Sequence, residues 1–286
     1  MRTHLDCIPC FLKLVLEQGR LLSQEESVHR ELLHEAARRI PLFSGEEPPP
    51  LMVRTIQESI RRRFPGQDPY AEIKRQSNER ALQIYPLLRE KLEVSGDRLL
   101  SALEFAIAGN VIDYAAKNDL DIEEEIRRIL SGEFLPEQKE VFELEPFRED
   151  LKSAREVLYL ADNAGEIVFD RLLIEEIAHG RKVILAVRDR PILNDALIED
   201  AVFCGVDQIA RVMSSGADSP GTVLSLCSKE FQDIFRDADM VISKGQGNYE
   251  ALSDAPREIY FLLKIKCPVL ARHTGVPVGS IVLKKK

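Results

Sequence analysis

Apolar residues in the C-terminal half of the chain form short runs that are separated by polar turns. Runs of this length and composition predict buried β-strands, and several of the segments between them have the apolar spacing of helices. Strands that alternate with helices are typical of βαβ units in a mostly parallel sheet. We therefore expect a Rossmann-like, three-layer α/β/α domain over residues 151–286. Its predicted strands are residues 157–161, 182–187, 209–213, 239–243, 258–263 and 268–271.

The first half of the chain has a different pattern. Between residue 7 and about residue 129, apolar residues recur at helical spacing. Prolines divide this region into segments, because proline lacks an N–H donor and clashes inside a helix. An acidic stretch without clear periodicity, residues 133–149, precedes the first predicted strand. We therefore predict an all-helical domain over residues 1–150 that packs on the α/β domain.

Polar residues follow the predicted strands of the α/β domain. Asp162 and Asn163 come directly after the first strand, where a helical segment begins at Glu166. Because the carboxyl ends of parallel strands lie at one edge of a sheet, the turns that follow them converge. The polar residues expected at this edge are Asp162, Asn163, Asn194, Asp195, Ser215, Lys244 and Asn248.

Residue types at this edge indicate metal-assisted phosphate chemistry. Carboxylate and amide oxygens bind hard cations, and N–H groups at the start of a helix favour an anion. Lys244 and the N–H groups near Gly165 and Gly245 are expected to face the phosphate. Either Glu166 or Asp113 would accept a proton from water. A simpler interpretation of Asp162 is that it only caps the following helix.

A second polar pair interrupts an apolar stretch of the helical half. Asn110 and Asp113 are three residues apart, so they share one face of a helix. Buried polar side chains need partners. A metal or substrate at the domain interface would supply them, and so would neighbouring backbone groups. Both interpretations stay open.

Composition limits the classes of partner. The chain has 286 residues and a net charge of −9, which argues against nucleic-acid binding. It contains no apolar run of about 20 residues and no signal-peptide hydrophobic region near residue 1, so we expect no membrane partner and a cytoplasmic location. A homo-oligomer is compatible with the sequence. The three lysines at residues 284–286 are expected to be a solvated end.

Five cysteines, an odd number, do not suggest a disulfide framework. Cys7 and Cys10 differ from the others because they lie one turn apart at a predicted helix start, where the helix dipole favours thiolate. The pair has three interpretations: a redox pair, half of a metal site completed by His4 or a second subunit, or a structural element. We favour a structural or accessory role, because isolated motifs of this kind are common.

Four separated motifs resemble those of the damage-control phosphatases, and the resemblance covers essentially the whole chain. Cys7 and Cys10 resemble a variant of its archaeal and bacterial branch. Glu250 stands where eukaryotic relatives have an arginine, which leaves the substrate preference open. The motifs are Gly-Asn-Val-Ile-Asp at 109–113, Asp-Asn-Ala-Gly-Glu at 162–166, Asn-Asp at 194–195 and Lys-Gly-Gln-Gly-Asn at 244–248.

The resemblance implies hydrolysis of small phosphate monoesters, such as sugar phosphates and phosphopantetheine derivatives, with Mn, Co, Ni or Mg as the divalent cation. It implies that Asp162, Asn163 and Asp195 bind the metal, and that Lys244 and Asn248 hold the phosphate. Together with Glu166, the metal ligands and Lys244 form the expected catalytic set. The expected substrate contacts are Asn110, Asp113, Asn194, Ser215, Gly245 and Asn248.

Three other functions compete with a phosphatase. A dinucleotide-dependent oxidoreductase is disfavoured because no GxGxxG motif follows the first strand. A carboxyl methyltransferase, an activity proposed for one eukaryotic relative, is disfavoured because the expected glycine-rich cofactor loop is absent. A non-catalytic metal- or nucleotide-binding module would use the same residues, and only turnover of a phosphate ester distinguishes it from an enzyme.

Overall fold

The computed structural model describes residues 1–109, 139 and 141–286, and in these residues seven strands form one sheet in the order β1-β7-β6-β5-β2-β3-β4. Neighbouring strands are parallel except β6 and β7, which are antiparallel. This arrangement confirms the predicted α/β fold with a mostly parallel sheet. The strands are β1 (Val141–Phe142), β2 (Glu156–Leu160), β3 (Lys182–Val187), β4 (Arg211–Ser214), β5 (Met240–Lys244), β6 (Tyr260–Lys264) and β7 (Ile281–Lys285).

Helices precede the sheet and connect its strands. Five of those described lie before β1: α1 (Cys7–Leu22), α2 (Glu26–Arg39), α3 (Pro49–Arg63), α4 (Ala71–Glu93) and α5 (Arg98–Gly109). The others are α6 (Leu144–Ser153), α7 (Glu166–Ile177), α8 (Ile198–Phe203), α9 (Lys229–Asp237), α10 (Gly245–Leu252) and α11 (Pro268–Thr274). Within the described residues, no helix is both long enough and apolar enough to cross a membrane.

Side chains of β2 divide between the two faces of the sheet, as expected for a strand buried on both sides. Val157 and Tyr159 enter a core formed with α4, α5, α6 and α7. Leu158 and Leu160 enter a second core on the opposite face, formed with α9, α10 and α11. Two helices of the predicted helical domain, α4 and α5, therefore cover one face of the sheet.

Helices α1, α2 and α3 enclose a third, smaller core, which also includes Ile192 from the loop after β3. Polar contacts also join α3 to the loops at the carboxyl edge of the sheet. Arg54 Nε donates to Asp218 Oδ1 at 2.5 Å, and Arg61 Nη2 donates to the Pro191 carbonyl oxygen at 2.7 Å. The helical segment thus holds the loops that follow β3 and β4. The division at residue 150 stays a prediction, although β1 joins the sheet before that position.

Two predictions about the C-terminal end are wrong. Residues 268–271 belong to helix α11, because Pro268 fits the first helical turn and Cys267 Sγ accepts a hydrogen bond from the Leu270 N–H at 3.4 Å. The last strand is β7, which pairs antiparallel with β6. Lys284 and Lys285 therefore lie in the sheet, where we expected a solvated end.

Candidate active site at the carboxyl edge of the sheet

Backbone contacts bring the turns after β2 and β3 together. Asn163 and Asp195 form an isolated antiparallel bridge. The Ala164 N–H donates to the Asn194 carbonyl oxygen at 2.9 Å, and the Ala196 N–H donates to the Asp162 carbonyl oxygen at 2.8 Å. The structure therefore places Asp162, Asn163 and Asp195 side by side, as the convergence of parallel strand ends predicts.

Negative charge is concentrated at these turns. Asp162, Glu166 and Asp195 are all buried. Burial raises the pKa of Asp162 well above its usual range, and the nearby charges of Glu166 and Asp195 raise it further. Burial also raises the pKa of Asp195, although the Arg188 guanidinium opposes this effect. A cation placed among these carboxylates would relieve their mutual repulsion.

The donor set fits a divalent cation. Asn163 Nδ2 donates to Asp162 Oδ2 at 2.9 Å and to Glu166 Oε2 at 3.2 Å, so the amide oxygen is the atom that would bind a metal. Among the residues that the structure describes, no three His, Cys, Asp or Glu side chains are grouped to hold a metal. The predicted ligand set therefore needs Asn163 beside Asp162 and Asp195, and all three offer oxygen to a hard cation.

Asp162 does not cap the following helix. The N-cap of α7 is Gly165, three residues further on. The simpler interpretation of Asp162 is therefore wrong. Its carboxylate lies against the start of a different helix, α10. A Cβ atom added to Gly245, the first residue of that helix, would be only 1.9 Å from Asp162 Oδ2.

Lys244 makes a buried charge network. Its ammonium donates to the Ala106 carbonyl oxygen at 2.8 Å and to Glu166 Oε1 and Asp170 Oδ1 at 2.5 Å each. Burial alone would lower the pKa of Lys244, but the charges of Asp170 and Glu166 outweigh it and raise the pKa. A phosphate contact would have to replace one of these three hydrogen bonds, so the predicted phosphate-binding role of Lys244 stays a prediction.

Arg188, which follows β3 directly, is a site residue that the sequence analysis did not select. It is fully buried, and its Nε donates to Asp195 Oδ2 at 2.7 Å. Its Nη1 donates to Thr222 Oγ1 at 2.9 Å and its Nη2 to Asn248 Oδ1 at 3.0 Å. Arg188 thereby fixes the Asp195 carboxylate. One feature of the sequence indicated that Arg188 could belong to the site. It follows a buried strand directly, as Ala161-Asp162 follows another.

Asn248 connects three of these turns. Its Nδ2 donates to the carbonyl oxygens of Ala161 and Lys244 at 3.0 and 2.7 Å. Its Oδ1 accepts from Arg188 and also from the Thr222 N–H and hydroxyl, both at 2.8 Å. In this structure Asn248 holds the loops together from a fully buried position. Its predicted contact with substrate stays a prediction.

Helix α4 supports the Asp162 turn from the helical half. Asn78 Oδ1 accepts from the Gly165 N–H at 2.6 Å, while its Nδ2 donates to Asp200 Oδ1 at 2.7 Å. The Gly165 N–H, which we expected to face a phosphate, is therefore bound by Asn78. This contact could not be predicted from the sequence, because Asn78 lies 87 positions before Gly165.

The other predicted substrate contacts have different environments. Ser215 is fully buried, and its N–H donates to the Val187 carbonyl oxygen at 2.8 Å. Asn194 contributes its carbonyl oxygen to the bridge between the two turns. Asn110 and Asp113 lie outside the described residues. The predicted substrate contacts of Ser215, Asn194, Asn110 and Asp113 therefore stay predictions.

Lys266 is a second lysine at this edge that the sequence analysis did not select. It follows β6, which is parallel to β5, so it lies on the side of the sheet where the other turns converge. Its side chain is exposed, and its charge acts to lower the pKa of Asp162. Lys266 therefore offers a solvent-accessible positive charge near the buried carboxylates.

The fold and this edge define an α/β protein with clustered carboxylates and amides at its ligand-binding end. The chain matches the damage-control phosphatase ARMT1-like domain over residues 3–282, and it belongs to that family. It is 33% identical to a damage-control phosphatase of Pyrococcus horikoshii, with 99% of this chain and 97% of that protein covered. It is 35% identical to a damage-control phosphatase of Archaeoglobus fulgidus, with 97% of each covered.

A solved structure has the same fold. The crystal structure of a DUF89 family protein from Pyrococcus horikoshii superimposes with a TM-score of 0.90 and 31% sequence identity. The match covers 100% of this chain and 99% of that one. The family membership and this likeness together identify the chain as a phosphatase of the damage-control family.

The first prediction concerns Gly245, which has a φ of +79°. In Gly245→Ala the new methyl group would displace the Asp162 carboxylate, and a misplacement of about 1 Å costs roughly 100-fold in turnover. Gly180→Ala is the matched control, because Gly180 has a φ of +74° and no neighbouring atom within 4 Å of an added Cβ. Gly180→Ala should lose about 1–3 kcal/mol in the free energy of unfolding because of its positive φ, and Gly245→Ala should lose more because its methyl group also meets the buried Asp162 carboxylate. Equal activity in the two would contradict this placement of Asp162.

Proposed function

We propose that this protein is a divalent-metal-dependent phosphatase that hydrolyses small phosphate monoesters, including damaged phosphometabolites. The observation that carries the proposal is the convergence of Asp162, Asn163 and Asp195, whose turns are joined by backbone contacts. Burial and the charges of Glu166 and Asp195 raise the pKa of Asp162, which agrees with a site that a cation would stabilise. A cation bound among these carboxylates would relieve their repulsion and attract a phosphate. Relatives named damage-control phosphatases support the substrate class, which for this chain would include sugar phosphates or phosphopantetheine-like esters.

Asp162, Asn163 and Asp195 would hold the cation, which would be Mn, Co, Ni or Mg. When bound, it would neutralise phosphate charge and lower the pKa of a water molecule. The protein contributes the orientation of these ligands. Arg188 fixes one oxygen of Asp195, and Asn163 donates to Asp162. Phosphoryl transfer depends mainly on this kind of positioning and charge neutralisation.

Glu166 is the described residue best placed to accept a proton from water. Its Oε1 is bound by the Lys244 ammonium, while its Oε2 lies 3.2 Å from Asn163 Nδ2. The carboxylate therefore borders the proposed metal ligands directly. The Lys244 ammonium is the buried counter-charge of this carboxylate. Asp113, the other expected base, lies outside the described residues.

We assign the phosphate contact to Lys266 in preference to Lys244. Lys266 is exposed and lies at the same edge, whereas all three hydrogens of the Lys244 ammonium are directed at protein oxygens. An exposed lysine on a loop reaches an anion without breaking a buried ion pair. In this proposal Lys244 acts on the site by positioning Glu166, and Lys266 contacts the substrate.

Asp162→Asn tests the metal-dependent function. The substitution keeps the shape of the side chain and removes one of three mutually repelling carboxylates, so the metal-free protein should stay folded. Turnover of an aryl phosphate with added Mn or Co should fall by at least about 100-fold, and calorimetry should show weaker metal binding. Asp237→Asn, at an exposed position, is the control. Undiminished metal-dependent turnover in Asp162→Asn would contradict the proposal. Metal binding without turnover in the unmutated protein would instead favour a non-catalytic binding module.

Lys266→Ala tests the phosphate contact. Loss of one charge-assisted hydrogen bond, about 1.5–3 kcal/mol, should lower kcat/KM by roughly 10- to 150-fold. Metal affinity should not fall, because Lys266 is a cation that repels the metal. Lys229→Ala, an exposed lysine on α9, is the matched control and should keep full activity. A Lys266→Ala variant with unchanged kcat/KM would contradict the assignment.

Lys244→Met tests the structural role of the buried ammonium. It leaves the carboxylates of Glu166 and Asp170 buried without their cation, and breaking a buried pair in this way costs about 3–5 kcal/mol. Urea denaturation should therefore show a large loss in the free energy of unfolding. Lys266→Ala should cost almost none, since Lys266 is exposed. Equal stability of the two variants would show that Lys244 is not the cation that holds these carboxylates.

A further inference from the structure

The two cysteines at the start of α1 have contrasting environments. Cys7 is the first residue of the helix and is half-buried, packing against both the α1–α3 core and the sheet core that contains α9, α10 and α11. Cys10 lies one turn later and is exposed. The Cys10 thiol is therefore exposed, and the Cys7 thiol lies at a junction between two cores.

The backbone allows these two residues to be joined. Residues i and i+3 of a helix have Cα atoms about 5 Å apart, which is inside the range of about 4.4–6.8 Å found for disulfides. Pro9 lies between them in the first turn, where its missing N–H removes no intrahelical hydrogen bond. The first turn is also where a helix frays most readily, which gives the two side chains freedom to adjust.

The thiol of Cys267, the third cysteine in this region, has a structural role. Cys267 is the N-cap of α11, and its Sγ accepts from the Leu270 N–H at 3.4 Å and from Gln246 Nε2 at 3.6 Å. These contacts hold its sulfur between α10 and α11. Cys267 is therefore occupied as a structural cap, which leaves Cys10 as the partner for Cys7.

Metal binding is a weaker explanation of the same thiols. In the described part of the chain, no group of three His, Cys, Asp or Glu side chains is arranged to hold a metal ion, and this includes the surroundings of Cys7 and Cys10. Burial raises the pKa of Cys7, and Glu250, Cys267 and Cys10 add to this effect. The predicted thiolate at this helix start is therefore wrong for Cys7. A half-buried thiol with a raised pKa suits the resolving role, in which it reacts after the exposed Cys10.

We propose that Cys7 and Cys10 are a redox-modification site that forms a reversible disulfide with small-molecule disulfides such as oxidised glutathione. The Cys10 thiolate attacks one sulfur of the small disulfide, whose S–S bond breaks and releases one small thiolate. Cys7 then loses its proton to solvent and attacks the Cys10 sulfur, which expels the second small thiolate. Two protein thiols are oxidised and one small disulfide is reduced to two thiols. This site is independent of the proposed phosphatase function.

The test uses the full-length protein and oxidised glutathione, followed by alkylation of free thiols and peptide mapping by mass spectrometry. The unmutated protein and Cys267→Ser should both lose two alkylatable thiols and show the Cys7–Cys10 linkage. Cys7→Ser should instead stop at a mixed disulfide between glutathione and Cys10, whereas Cys10→Ser should react much more slowly. Dithiothreitol should restore all five thiols of the unmutated protein.

Three outcomes would overturn the proposal. The first is a linkage between Cys7 and Cys267 in place of Cys7–Cys10. The second is a glutathione adduct that persists on Cys10 in the unmutated protein, because Cys7 would then not act as the resolving thiol. The third is stoichiometric zinc in the reduced protein that protects Cys7 and Cys10 from alkylation. Cys204→Ser is the control, because this thiol is buried elsewhere and should not change the result.

Discussion

Buried charge pairs at the carboxyl edge of the sheet constrain the rest of this structure. Lys244 lies between Glu166 and Asp170, and Arg188 binds Asp195. Each charge is taken out of water, which is tolerated only where the partner has good geometry and the remaining polar atoms are satisfied. Three strands supply or precede these residues, so the pairs fix how β2, β3 and β5 end relative to one another.

Helices outside the sheet complete this constraint. Asn78 of α4 binds the turn at Gly165, and Arg54 and Arg61 of α3 bind Asp218 in the loop after β4. These contacts come from a segment that the sequence presents as a separate helical region. A site made of loop residues needs supporting contacts if its ligands are to keep their geometry. The packing of this segment on the loops supplies such contacts. The helical region therefore supports the same edge that the strands create.

The sequence predicted the central strands because they are buried on both faces and form apolar runs that a simple pattern detects. It missed β7, because the apolar stretch of Ile281–Lys285 is short and ends in lysines. At the site, the turns of Asp162, Asn163 and Asp195 were predictable from strand topology. The contacts of Asn78 and Arg188 were not, because they depend on which loops meet in three dimensions.

Lys244 and Lys266 show how the surroundings decide the role of one residue type. Both follow or end neighbouring parallel strands at the same edge. Glu166 and Asp170 lie four residues apart on α7 and so share the helix face that meets Lys244, which makes this lysine an internal counter-charge. Lys266 is exposed and can approach an anion without leaving a buried partner. The acidic i, i+4 pair at the start of α7, the helix that follows β2, was therefore a better sequence indication of a buried cation than the glycine that follows Lys244.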